Sequence, residues 1–514
     1  MNFQTHSGRK SVGDNFVATR DLWIASEKLI IFPRPRFVMK RLHQSLQLLG
    51  IFLLLSHLIV CAQVYNDATL QSVRQKDAQS RDANGKLLTL AAAEHVFRGD
   101  VYMSNRVFPN AREHYQKILE NYQNETALMP KALFGMGRSY MWEKQYALAV
   151  RYFDDLTRDY LATKDGREGL AFKGACLVRL GRAGEAAKIY EQYTVMFPAG
   201  ERVESSYLNV ADALREAGKY EEAAEWTDKI RARFPGTATE TNAVFARLRM
   251  EIGRKKWNEA LKSADVLAGL RFPKGSMTSF NEAAFLRAFV LEKMSRKSEA
   301  MSAYFSISDN LTSYYGAAAT EQLKKLVKND DLSGQNNLQQ RAKIVRAQAL
   351  TAATDYPALF RDDLLRESTS RGVDPRFVLA IMKQESSFRA DAKSPAAARG
   401  LLQMTVDTAA KYTVAAKISQ LRPEDLYRPS VNIALGSAYL AELNNEFPAL
   451  PEAVAASYNG GEDNAARWQK RANSKEPFLF AAEVGFAETK DYVFKVMANY
   501  RAYRELYTEN LLRK

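Results

Sequence analysis

Glu385 is the residue whose type and setting best suit proton-transfer chemistry. It follows Phe377 and Ile381 at intervals of four and precedes Phe388 by three, so the four side chains share one face of a helix. A carboxyl on such an apolar stripe loses water, which disfavours its charged form and raises its pKa by about 2 units, towards the range of a general acid. The plainer reading places Glu385 at the solvated edge of the stripe or against a buried arginine. Asp374 and Pro375 open this helix, the first as an amide-capping carboxylate and the second as a residue suited to the first helical position. Three polar and aromatic blocks follow at residues 393–403 (KSPAAARGLLQ), 456–461 (ASYNGG) and 483–493 (EVGFAETKDYV). With five histidines, no HExxH and no paired CxxC, the sequence offers no metal motif, and no cofactor is expected.

Taken in this order after QESSF, the blocks resemble the catalytic domain of soluble lytic transglycosylases, which have a lysozyme-like fold related to goose-type lysozyme. The resemblance implies cleavage of the β-1,4 bond between N-acetylmuramic acid and N-acetylglucosamine in peptidoglycan, with closure of a 1,6-anhydro ring. It assigns Glu385 as the single catalytic glutamate, acid first and base second. It further implies that Ser394 and Gln403 line the glycan groove, that Tyr458 stands beside the acid, that Asn459 holds the turn made by Gly460 and Gly461, and that Glu483 helps to position substrate. Thr489 reads as a cap on the last helix, whose Tyr492, Val496, Tyr500, Tyr503 and Tyr507 form a packing stripe. Two departures touch the groove: Ala397 stands where the family pattern has glycine, and Thr405-Val406 replace Met-Pro. Two other functions fit the same residues. A lysozyme-like muramidase would need a water-activating partner such as Asp391 or Glu483, and an exported repeat scaffold would bind glycan without cleaving it.

Most of the chain before this region must serve to position it. An alanine marker recurs at Ala111, Ala149, Ala186, Ala223, Ala260 and Ala300, at intervals of 37 to 40 residues. It is followed three or four residues later by Tyr115, Phe153, Tyr190, Trp226 and, in the last repeat, Tyr304, while the fifth repeat has no aromatic there. Phe197-Pro198, Phe234-Pro235 and Phe272-Pro273 end helices, and Leu180-Gly181-Arg182 and Ala217-Gly218-Lys219 read as tight turns. Helical hairpins of this kind cannot bury their small-residue faces alone and stack into a superhelix; the pattern resembles tetratricopeptide-like repeats. The polar run 329–337 reads as a linker or long loop. The expected fold is therefore mainly α: a non-mature segment at 1–62, a repeat superhelix at 63–345 and a lysozyme-like domain at 346–514.

Compartment follows from residues 39–62. Lys40 and Arg41 precede an apolar core from Leu46 to Val60 and a small-residue site ending at Ala62, the plan of a secretory signal peptide, which also points to Met39 as the start. The core is too short for a comfortable membrane span. Export to the periplasm is expected, with an outer-membrane lipoprotein acylated at Cys61 as the minor alternative. Cleavage after Ala62 leaves Cys176 alone, with no disulfide. The composition, 46% hydrophobic and 26% charged, excludes wholesale disorder and a multi-span membrane protein. A formal charge of +14 favours a polyanionic partner. In an exported protein that partner is peptidoglycan rather than nucleic acid, and the repeats offer a surface to cell-wall synthesis or division proteins.

Overall fold

The computed structural model describes residues 67–514; the expected signal segment 39–62, the start at Met39 and Cys61 lie outside them. Among the described residues the chain forms α-helices, short 3-10 turns and four isolated bridges, with no strand, so the expected mainly α class is the one observed. No helix among them is long and apolar enough to cross a membrane.

From Ala92–Ser104 paired with Phe108–Asn121 to Phe280–Lys293 paired with Lys297–Ser306, six antiparallel helical hairpins stack in sequence. The alanine marker always falls on the second helix of a hairpin, and all six alanines are buried. The paired aromatics are buried as well, from Phe153 and Tyr304 at 0% exposed to Trp226 at 8%, and Ala264 fills the place in the fifth hairpin. Glycine makes room for the rings. A Cβ on Gly135 would sit 2.5 Å from the Tyr115 ring, one on Gly137 2.6 Å from Phe153 and one on Gly174 2.5 Å from Tyr190. Each of these glycines weakens its own helix by about 1 kcal/mol, and the close ring contact is what offsets it. Cys176 is free and fully buried, and burial pushes its thiol up to about 12.

The turn inside every hairpin uses one residue in the left-handed region. Gly181 and Gly218 occupy that position in two hairpins, and Arg106, Lys144, Lys255 and Ser295 occupy it in the other four.

The run expected as a linker is helical from Leu332 onward. Asp331 caps Leu332–Thr351 by accepting the Gly334 amide, and the helix continues through the boundary expected at 345. Its first half is polar because it faces solvent, with Leu332 75% exposed, whereas Val345 and Ala349 enter the core of the terminal domain. That core is built around Pro375–Ser386, Pro429–Glu446, Pro451–Gly460 and Ala487–Leu506. One terminal-domain helix, Pro477–Glu483, instead sends Phe478, Leu479 and Ala482 into the core of the last repeats.

Candidate active site

The helix that carries Glu385 starts as its sequence dictates. The Asp374 carboxylate accepts the Arg376 amide, Pro375 takes the first helical position, and Tyr500 Oη donates to Asp374 Oδ2 at 2.9 Å. Phe377 and Ile381 are buried below Glu385. The helix ends at Ser386, and Ser387 and Phe388 both turn left-handed, so Phe388 lies beyond the stripe on which its spacing had placed it. Ser386 Oγ donates to the Leu401 carbonyl at 2.7 Å and ties this end to the next loop.

Glu385 is half-buried in the last turn. Burial drives its pKa up to about 7, with the nearby Glu488 carboxylate pushing the same way and a hydrogen bond from Tyr492 opposing both. Tyr492 Oη donates to Glu385 Oε1 at 2.7 Å. Tyr492, read from the sequence as packing, is thus the tyrosine that touches Glu385. Tyr458 lies close enough for the Glu385 charge to raise its own pKa well above the ordinary tyrosine value, although its burial is the larger cause. Its hydroxyl donates to the Leu402 carbonyl at 2.6 Å, and its ring lies 5.2 Å from that of Tyr439.

The 393–404 loop is held by antiparallel bridges from Arg399 to Lys393 and Met404. Ser394 Oγ accepts the Ala398 amide at 3.1 Å, and Gln403 Nε2 donates to the carbonyls of Ala392 and Gly400 at 3.1 and 2.9 Å. Both residues brace this loop through these bonds and remain partly accessible. Asn432, fully buried, is the hub that sequence reading missed: it accepts the Leu402 amide and donates to the carbonyls of Arg399 and Leu426. Gly400 is required here, because at φ +78 a Cβ would lie 2.1 Å from the Leu426 carbonyl oxygen. Ala397, standing where the family pattern has glycine, adopts φ +61, which costs about 1 to 2 kcal/mol.

Asn459 Oδ1 accepts the Thr489 hydroxyl at 2.6 Å, joining the helix of Tyr458 to the helix of Tyr492. Thr489 therefore does not cap its helix; the capping position is Phe486. Gly461, at φ +86, makes the expected turn.

Glu483 requires correction. It is 2% exposed and ion-paired to Arg215 at 2.6 Å and to Arg249 at 3.3 Å, both on the repeats, so its carboxylate cannot line a groove. Burial alone would raise its pKa, yet the two guanidiniums hold it below the ordinary carboxylate value. The acidic side chain of this block that faces Glu385 electrostatically is Glu488, which is exposed. The signal was present in the sequence, since Glu488 precedes Tyr492 by one helical turn and the two share a face. Among the described residues no group of three or more His, Cys, Asp or Glu side chains could hold a metal ion.

Residues 364–480 match the family described as transglycosylase SLT domain, and residues 131–160 match a tetratricopeptide repeat. That match covers most of the terminal domain. Among relatives, a candidate soluble lytic murein transglycosylase of Haemophilus influenzae is 32% identical over 193 residues, covering 35% of this chain and 32% of that protein. The soluble lytic murein transglycosylase of Salmonella typhimurium is 29% identical over 150 residues, covering 29% of this chain and 23% of that protein. The matched part therefore spans a third or less of the length of these curated relatives. A crystal structure of the 70 kDa soluble lytic transglycosylase from Escherichia coli aligns with 87% of this chain and 85% of its own at 18% identity and a TM-score of 0.45.

Proposed function

We propose that this chain is a peptidoglycan lytic transglycosylase in which Glu385 is the only proton-transfer residue. The observation that carries the reading is a half-buried carboxyl with a pKa of about 7, held by one tyrosine at the end of a helix inside a transglycosylase SLT domain. In its protonated form Glu385 gives its proton to the glycosidic oxygen as the bond from C1 of N-acetylmuramic acid to O4 of N-acetylglucosamine breaks. The substrate's 2-acetamido carbonyl stabilises the electron-poor C1, which dispenses with a carboxylate nucleophile. The carboxylate of Glu385 then takes the proton of the muramoyl 6-hydroxyl while O6 bonds to C1. One bond to C1 is exchanged for another, the proton lost in the first step is regained in the second, and water does not enter.

Tyr492 holds the acid in one rotamer, Tyr458 and Gln403 fix the backbone of the facing loop, and partly accessible Ser394 and Gln403 border the groove. Asn459 positions Thr489 and, through it, the helix of Tyr492. The signal-like segment supports action in the periplasm on glycan strands.

A hydrolase is the second reading, favoured by one observation: the Glu488 carboxylate is close enough to act on Glu385 and could activate a water. Product mass separates the two. Digestion of purified sacculi should release muropeptides ending in anhydro-muramic acid, one water lighter than hydrolysed ends, and Glu385→Gln should lower release by about 10²- to 10⁴-fold. Hydrolysed ends would establish the muramidase, and undiminished release by the variant would remove Glu385 from the chemistry.

A further inference from the structure

A cavity of about 550 Å3 opens between the first two hairpins and the helix Val406–Lys411 of the terminal domain, three residues beyond Gln403 on the same loop. Its exposed aromatic surface comes from Trp142, which is 48% exposed, while Phe108 behind it is 4% exposed. Its carboxylates are already neutralised. Asp407 is held by Arg106 at 2.8 Å and Glu143 by Arg112 at 2.7 Å, while Lys144 is taken up by Glu462 and Asp463. Two cations remain: among the described residues neither the Arg74 nor the Lys411 side chain makes an ion pair or hydrogen bond. The guanidinium of Arg106 lies 5.3 Å from the Trp142 ring and fixes that ring at the rim. The chamber therefore presents free positive charge beside aromatic surface, which suits a short acidic peptide better than a neutral sugar chain.

We propose that this cavity binds the acidic stem peptide of peptidoglycan, its carboxylates meeting Arg74 and Lys411 and its apolar side chains lying against Trp142. The proposal rests on the reading of peptidoglycan as substrate and adds a second contact, built half from the superhelix and half from the terminal domain, that would retain a peptide-bearing strand during cleavage.

The test is a binding measurement that needs no catalysis. Full-length protein carrying Glu385→Gln is sedimented with intact sacculi and with sacculi stripped of stem peptides by an amidase. The parent should bind intact sacculi more tightly. Adding Arg74→Ala and Lys411→Ala should weaken that binding about fivefold to tenfold and leave binding to stripped glycan unchanged. Lys411→Glu, on an exposed helix end, should act in the same direction with an unchanged melting temperature. Equal binding of the parent to both sacculi, equal loss on both, or no loss on intact sacculi would overturn the proposal. If wild type failed to cleave sacculi while the preference for intact sacculi held, the enzymatic reading would fall and the peptide site would stand.

Discussion

Glu385 owes its acidity to three opposed influences, and two can be changed separately. Burial and the Glu488 charge raise its pKa, and the Tyr492 hydrogen bond lowers it because it stabilises the carboxylate. As the acid must be protonated to act, kcat/KM should fall as pH rises through about 7. Tyr492→Phe removes the bond and should move that alkaline limb to higher pH, and Glu488→Gln removes the repulsion and should move it to lower pH. Shifts of the same sign in the two variants would contradict this account of the site. The burial of Glu385 was legible in the sequence because a four-residue period between apolar side chains carries burial information, whereas its role as acid came from the resemblance. Its tyrosine was not: Tyr492 and Tyr458 both lie in helices and both suit packing, and only the crossing of Ala487–Leu506 over Pro375–Ser386 decides which hydroxyl reaches Glu385.

At the scale of elements, the repeat period was readable from alanines, but the role of the turns between helices was not. Arg106 and Lys144 hold left-handed turn positions that glycine fills at 181 and 218, a local preference overridden at about 1 to 2 kcal/mol each. Their side chains supply the reason, since Arg106 reaches Asp407 and Lys144 reaches Glu462 and Asp463 in the terminal domain. Lys255 and Ser295 share the conformation without such a contact, and nothing in the structure explains them. Glu483 belongs to the same set of contacts. Read as a groove residue it should matter for turnover; buried between Arg215 and Arg249 it matters for docking. Glu483→Gln strips two buried guanidiniums of their counter-charge and should destabilise the protein by about 3 to 5 kcal/mol. Turnover per folded molecule should change little. Chemical denaturation together with kcat on the folded fraction checks this, and lost turnover at unchanged stability would return Glu483 to the groove.

Across the whole described chain, the terminal domain is held along the superhelix rather than tethered at one end. Asp67 meets Lys393 and Arg399, Arg471 meets Asp212 and Glu216, Lys490 meets Glu282, and Arg501 meets Asp309. Most of these pairs are half-buried, Lys490 and Glu282 are nearly completely buried, and burial lowers Lys490 to about 8 despite its partner. Such pairs fix register more than they add stability. They explain why most of the linker expected at 329–337 is a helix: the two halves of the molecule are neighbours along several hairpins, and Leu332–Thr351 runs from one core into the other. Sequence separation hid this. Partners lie from 192 residues apart, as with Arg501 and Asp309, to well over two hundred, as with Arg215 and Glu483 at 268, and a surface-charge pattern does not reveal which charges become buried.

The central claim is that the carboxyl at 385 holds its proton near neutrality. A carbon-13 NMR titration of glutamate-labelled protein, with the Glu385→Gln spectrum subtracted to isolate one carboxyl, measures this directly. A midpoint near 7 is predicted; a midpoint near the ordinary glutamate value of about 4.3 would show a solvated, ionised side chain and contradict the proton transfer proposed for it.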